Sequence, residues 1–307
     1  MTTRREFLET SAAILAATAL PGVSLSSARL PIGFSTLGCP KWDWPQILDF
    51  AAGHGYAAVE LRGLQDTMDL PQRPEFAPAQ LAATKAQLAQ HDLVISCLGS
   101  SANMHEMDAT KRAAQLDEGR RFIDLAHALG APYVRVFGNQ YVPGVAKDEM
   151  LAHIARGLRE LGDYAKGTSV TVLIESHGDF TDSPSLQSLL DRAASPNVAL
   201  LWDAHHTFVS GKEEPEETVR RLGSYIRHTH LKDSVAAGND RRYVLTGTGT
   251  VPVRRQVEAL LKIGYRGFYS FEWEKRWHAE IEEPEIAIAQ YANVAAGYLR
   301  EVQHSKE

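Results

Sequence analysis

The sequence predicts an α/β chain folded as a closed (β/α)8 barrel. Three observations carry this reading. Eight short β-rich runs alternate with longer helical runs without a break in composition, and continuous βα alternation implies a parallel sheet. The eight units fill about 270 residues, the size of such a barrel. The turn after the first strand, Ser35-Thr36-Leu37-Gly38-Cys39-Pro40-Lys41, lacks the G-x-G-x-x-G phosphate loop of an open doubly wound sheet.

The elements follow in order. Ile32-Gly33-Phe34-Ser35 reads as a strand and Pro45 to Ala52 as a helix; Ala58-Val59-Glu60-Leu61 is the second strand and Pro78 to Gln90 its helix. Leu93 to Cys97 is the third strand. Thr110 to Leu129 is a long helix, stopped by Gly130 with Pro132 beyond, the residues expected at a helix end. Tyr133 to Phe137 is the fourth strand. The helix over Asp148 to Ala165 sets Met150, Ile154, Leu158 and Leu161 on one stripe.

Val170 to Ile174 is the fifth strand, and Ser183-Pro184 opens the next helix, with serine as N-cap and proline at the first helical position. Val198 to Trp202 is the sixth strand, followed by a short helix over Glu216 to Leu222. Tyr225 to Leu231 is the seventh, with a helix over Val253 to Ile263. Phe268 to Phe271 is the eighth, and Pro284 to Val302 the last helix.

The 307 residues are 44% hydrophobic and 23% charged, ordinary globular usage, with a formal net charge of −6. That balance argues against a nucleic-acid partner held by bulk positive charge. Two cysteines, Cys39 and Cys97, allow one disulfide but no disulfide scaffold and no Cys-x-x-Cys metal pair.

The N-terminus reads as an export signal over residues 1–28, leaving a single domain over 29–307. A basic start, Thr3-Arg4-Arg5-Glu6-Phe7-Leu8, precedes a mildly apolar run from Ser11 to Leu20, and Ser26-Ser27-Ala28 offers small residues for cleavage. The paired arginines with Phe-Leu beyond them resemble a twin-arginine (Tat) signal, with Glu9 where a lysine is usual. The expectation is a soluble periplasmic or secreted protein that meets the Tat translocon during export and, once processed, has no stretch near the roughly 18 apolar residues of a membrane span.

In a barrel of this kind the active site lies at the C-terminal ends of the strands. The fifth strand ends in Glu175-Ser176-His177, and the sixth in Asp203 followed by His205 and His206. The seventh ends in His228-Thr229-His230-Leu231-Lys232-Asp233 and the eighth in Glu272-Trp273-Glu274. Four adjacent strands thus bring an acid or a histidine to one rim. Carboxylates so crowded cannot all stay ionised without a cation. A set of Glu, Asp, His and Glu is mostly hard oxygen with one imidazole, which favours Mn²⁺, then Co²⁺, Mg²⁺ or Zn²⁺.

These blocks carry a resemblance. Leu173-Ile174-Glu175-Ser176-His177-Gly178, Trp202-Asp203-Ala204-His205-His206, His228 to Asp233, Gly247-Thr248-Gly249 and Gly264-Tyr265-Arg266-Gly267 leading into Ser270-Phe271-Glu272-Trp273-Glu274 are similar to the sugar phosphate isomerase/epimerase family. That family belongs to the xylose isomerase-like TIM barrel superfamily, and the resemblance runs over about residues 30–302. It implies Glu175, Asp203, His230 and Glu272 as metal ligands, and Glu175 and Glu272 as the acid/base pair. His206 is expected near substrate or as a further ligand. His177 and Lys232 are expected to reach substrate, and Asp233 to fix a loop. Glu60 and Arg62 are expected to hold each other or a sugar hydroxyl. Arg135, inside an apolar strand, needs Glu175 or a substrate oxygen as partner. His228 is expected behind the ligands or in the core. Trp42, Trp44, Trp273 and Trp277 are candidates for stacking on a sugar ring.

The activity implied is isomerisation or epimerisation of a carbohydrate by proton transfer next to a carbonyl, through an enediolate. Export argues for a free sugar, a sugar acid or an oxidised glycoside over a sugar phosphate. The same chemistry can expel a group β to a carbonyl, so a keto-glycoside lyase or hydrolase is the alternative. An AP endonuclease, which shares the barrel, would need a basic DNA face. A non-catalytic sugar-binding protein would not need the full ligand set. The oligomeric state is left open.

Overall fold

The computed structural model describes residues 29–238 and 240–304; the expected export signal lies outside them. Eight parallel strands close into a barrel, and each is followed by at least one helix. In the first half these are β1 (Ile32–Ser35), α1 (Trp44–Gly53), β2 (Ala58–Leu61), α2 (Leu81–Gln90), β3 (Val94–Asn103), α3 (Ala109–Leu129), β4 (Tyr133–Phe137) and α4 (Lys147–Tyr164). In the second half come β5 (Thr171–Glu175), α5 (Ser183–Ala193), β6 (Val198–Asp203), α6 (Ala204–Val209), α7 (Pro215–Leu222) and β7 (Ile226–Leu231). A hairpin of β8 (Asp233–Ala237) and β9 (Asp240–Val244) follows, then α8 (Val253–Lys262), β10 (Tyr269–Phe271) and α9 (Pro284–His304). The barrel strands are adjacent in chain order, and β1 closes the ring by pairing with β10. No helix among the described residues is long and apolar enough to cross a membrane.

Strand alternation sorts the side chains into two environments. On β5 and β6, Val172, Ile174, Leu200 and Trp202 join the large apolar layer beneath the helices, whereas Leu173, Ala199 and Leu201 form a small separate cluster with Cys97. Continuing the parity of that inner cluster leads to Glu175 on β5 and Asp203 on β6. On these two strands the inward face is therefore apolar lower down and acidic at its C-terminal end.

Four differences from expectation stand out. β3 runs six residues past Cys97, to Asn103. The N-cap of α5 is Asp182, whose side chain accepts from Ser185 N at 2.9 Å, so Ser183 is the first helical residue instead. A carboxylate here satisfies a free backbone N–H and suits the positive end of the helix dipole. A further short helix, α6, starts directly at the end of β6, and the β8–β9 hairpin fills the connection after β7. Cys39 and Cys97 are both buried and free.

One turn demands glycine. Gly178, just after β5, has φ +62°, and a Cβ there would lie 1.9 Å from Asn139 O. The loops after β4 and β5 are pressed together at this point, beside the barrel mouth.

Candidate metal centre

Glu175, Asp203, His230 and Glu272 are all buried, and each offers a ligand atom within 4.8 Å of the others. His230 Nδ1 lies 3.2 Å from Glu272 Oε2, 3.5 Å from Glu175 Oε1 and 3.9 Å from Asp203 Oδ2. Each side chain is placed by backbone. Glu175 ends β5, and Asp203 ends β6 while capping α6, its Oδ1 accepting from His206 N at 2.9 Å. His230 lies on β7, and Glu272 follows β10.

Glu60 sits beneath this quartet. It is fully buried, and both its oxygens accept from His230 Nε2, at 2.9 and 3.0 Å, while His228 Nε2 donates to it at 2.7 Å. A carboxylate on Nε2 fixes the tautomer and leaves the lone pair on Nδ1. That Nδ1 has no hydrogen-bond partner. An orphaned buried nitrogen facing three carboxylates fits a divalent cation, and the donor set suits a hard or borderline ion.

The same carboxylates favour a proton on that nitrogen, the positive charge that a bound cation would replace. Burial pulls the His230 imidazole pKa down, yet Glu272 and Glu60 outweigh it and hold it well above the usual range. Burial pushes Glu175 up, but Arg135 and His230 bring it to about 2. Burial also opposes ionisation of Glu272, and His230 and Lys232 hold it well below the carboxylate range. The cluster therefore stabilises positive charge at its centre.

Around the quartet is a cavity of about 170 Å³ lined by Arg62, Arg135, Glu175, His177, His206 and Glu272, together with Leu37, Phe137, Tyr243, Glu274 and Trp277. Arg135, 1% exposed, places Nε 3.0 Å from Glu175 Oε2, an ion pair without hydrogen-bond alignment. His206 Nδ1 lies 3.1 Å from Ser176 O and 3.3 Å from Asp203 Oδ2. His177 packs on Phe137 and His206, and burial lowers its pKa.

Two of the residues expected to touch substrate are placed elsewhere. Glu60 does not meet Arg62 or the cavity; it is spent on His228 and His230 across the barrel interior. Lys232 is wholly buried. Its ammonium donates to Asp203 Oδ2 at 2.7 Å, to Glu274 Oε1 at 2.8 Å, and to Glu272, so it serves as a fixed counter-charge. Burial lowers its pKa, but Asp203 and Glu272 raise it well above normal. Of the four rim tryptophans, Trp277 borders the cavity. Trp42, Trp44 and Trp273 are buried, their indole N–H groups donating to Glu285, Gln87 and Glu282 O.

Asp233 does fix a loop: it accepts from the backbone N–H groups of Ser234, Gly247, Gly249 and Val251 at 2.8 to 3.1 Å. Two cavity residues with hydrogen-bonding side chains, Glu274 and Tyr243, had no assigned role in the sequence reading. Glu274 repeats the parity of Glu272, which was a usable signal. Tyr243 comes from the hairpin.

The xylose isomerase-like TIM barrel family matches residues 48–300. Comparison with curated protein sequences gives no match. Among solved structures, the IolI protein with a bound zinc atom is 18% identical, with a TM-score of 0.74 over 89% of this chain and 99% of that one. D-allulose 3-epimerase from Methylomonas sp. is 22% identical, with a TM-score of 0.66 over 90% and 97%. The 3-keto-D-glucoside 4-epimerase YcjR from E. coli is 14% identical, with a TM-score of 0.69 over 89% and 100%. These likenesses concern the fold, and the sequence match extends over most of the chain. The chain belongs to the xylose isomerase-like TIM barrel family.

Proposed function

We propose that this barrel is a divalent-metal-dependent isomerase or epimerase of a free sugar or sugar derivative, moving a proton next to a carbonyl through an enediolate. The observation that carries the reading is the buried quartet of Glu175, Asp203, His230 and Glu272, with His230 Nδ1 unpartnered and Nε2 held by Glu60. Several solved structures of the same fold are sugar epimerases by name.

A divalent ion held by the quartet would supply Lewis-acid polarisation of the substrate carbonyl. Mn²⁺ suits the ligand set best, with Co²⁺, Mg²⁺ and Zn²⁺ as competitors. The rest is done by the chain. Glu175 and Glu272 are both held ionised and both line the cavity, so either can accept the proton from carbon. For isomerisation the same group, once protonated, can return the proton to the neighbouring carbon; for epimerisation the other carboxylate, in its protonated form, delivers a proton to the opposite face of the carbon. Arg135 and Lys232 keep the two carboxylates oriented. His177 and His206 offer ring nitrogens to sugar hydroxyls, and Trp277 offers an aromatic face at the mouth.

The test is solvent exchange. The metal-loaded protein is incubated with free sugars and 3-keto glycosides in D₂O and followed by NMR. Deuterium at carbon without cleavage is the expected result, lost by at least about a thousandfold in Glu175→Gln or Glu272→Gln with the fold intact. Release of an aglycone would instead identify a lyase or hydrolase. Wild-type exchange rates in either variant would refute the assignment of acid and base.

A further inference from the structure

We infer that Arg62 and Arg135 form an oxyanion subsite on the β2–β4 side of the cavity, and that the substrate is an anionic sugar derivative whose carboxylate or phosphoryl oxygens dock there. This rests on the proposed isomerase reading only for the word substrate; the subsite itself rests on geometry.

Arg62 is 7% exposed and lines the cavity. Its guanidinium donates to Gly99 O at 3.3 Å and to Ser101 Oγ at 3.1 Å, and among the described residues it forms no ion pair. A guanidinium carries five N–H donors, so three are left without a protein acceptor. Arg135, buried deeper, has Nε and Nη1 without hydrogen-bond partners, although Nε stands near Glu175. Burial and the Arg135 charge together push the Arg62 guanidinium down to about 9.

The two cations are also brought close deliberately. Gly99 lies between them: a Cβ at that position would come within 2.6 Å of Arg62 Cδ and 2.8 Å of Arg135 Nη2. The Arg135 guanidinium stacks on Phe137 at 3.8 Å from the ring centroid, and Arg62 stands 6.0 Å from the same ring. Phe137 gives the pair an apolar support, and the absence of a side chain at 99 gives it room.

A merely structural role for Arg62 would be to tie β2 to β3 through Gly99 O. With the bond to Ser101 Oγ that role uses two of the five donors, and it does not account for a buried like-charge pair. The other charges of the cavity are matched: Arg135 has Glu175, and Lys232 has Asp203, Glu272 and Glu274. Arg62 is the cavity cation that no carboxylate approaches to ion-pair distance among the described residues; Glu175, Glu272 and Glu118 act on it only from farther away. A planar, forked donor with free N–H groups is suited to a carboxylate or a phosphoryl group.

The test uses achiral probes, so that sugar stereochemistry does not enter. The full-length protein, loaded with Mg²⁺, is titrated calorimetrically with acetate, its neutral isostere acetamide, and methyl phosphate. Saturable binding of acetate or methyl phosphate, at least about tenfold tighter than acetamide, is expected. The tighter of the two anions identifies the source of the oxyanion. Arg62→Met should weaken anion binding by about tenfold or more, with a smaller loss in Arg62→Lys, which keeps the charge but not the fork. Should Arg62→Met fail to fold, Gly99→Ala keeps every charge and displaces the pair, with the same expected loss. Anions that bind no tighter than acetamide overturn the subsite, as does unchanged anion affinity in folded Arg62→Met or Gly99→Ala. Deuterium exchange on the same samples separates the two readings. Exchange on neutral sugars without anion binding refutes the subsite alone, and anion binding without exchange on any sugar refutes the isomerase alone.

Discussion

Replacing Glu60 by Gln tests the centre without touching a ligand. In the wild type, two ring N–H groups converge on one carboxylate, from His228 at 2.7 Å and from His230 at 2.9 and 3.0 Å. A carboxamide keeps one oxygen and turns the other position into a donor. Its oxygen at the Oε2 position can still accept from both imidazoles, but the amide nitrogen then replaces Oε1, 3.0 Å from His230 Nε2, and stands donor to donor against that ring. If His230 loses out, its Nε2–H is buried without a partner, or the proton moves to Nδ1 and blocks the nitrogen that faces the carboxylates. Leaving one buried donor unsatisfied costs about 1–3 kcal/mol. Every 1.4 kcal/mol is tenfold in affinity, so divalent metal binding should weaken by about ten- to a hundredfold. The assay is competition against a chromophoric chelator for Mn²⁺ and Zn²⁺, with circular dichroism to show that the variant is folded. Wild-type metal affinity in folded Glu60→Gln would refute the role assigned to Glu60, and with it the use of His230 Nδ1 as a ligand.

Two further predictions follow from charge and from the N-terminus. Asp233→Ala removes the acceptor of four backbone N–H groups, and should cost about 3 kcal/mol in chemical denaturation because bonds to an ionised acceptor are each worth more than neutral ones; a loss below about 1 kcal/mol would show that water replaces the carboxylate there. For the N-terminal segment, we propose Tat export to the periplasm or medium: Arg4→Lys combined with Arg5→Lys should retain the protein in the cytoplasm in a fractionation assay, and unchanged export would refute the signal.

Much of the fold was legible because a parallel barrel imposes a simple rule on sequence. Buried strands read as short apolar runs, and the polar residue that ends each run marks the rim. That rule located Glu175, Asp203, His230 and Glu272 without knowledge of any contact. It failed for Glu60, because β2 and β7 are not neighbours in the ring, and the pairing crosses the barrel interior. Local sequence suggests Arg62, two residues away, as the partner; only closure of the barrel brings His228 and His230 within reach. Lys232 was misplaced for a related reason. Its long chain suggested a reach toward substrate, whereas three carboxylates from β6 and the end of β10 hold it inside. The β8–β9 hairpin was missed although Gly238, in the left-handed region at φ +62°, follows β8, a residue type that marks hairpin turns. Arg241, Arg242 and Asp240 give that stretch the polarity of a loop.

The Asp233 clamp has a consequence for how this barrel can change. The carboxylate stands at the first residue of the hairpin, yet three of its bonds reach to 247, 249 and 251, beyond the hairpin's end. Everything between is an excursion stapled shut at its base. It lends the cavity one residue, Tyr243, while the quartet comes from β5, β6, β7 and the end of β10. Insertions, deletions or exchanges in that excursion could therefore retune what the mouth admits while the proposed acid, base and metal ligands stay in register. One wall of the mouth is thus carried on a piece of chain separable from the quartet, and a library randomised over the hairpin is a place to look for altered selectivity.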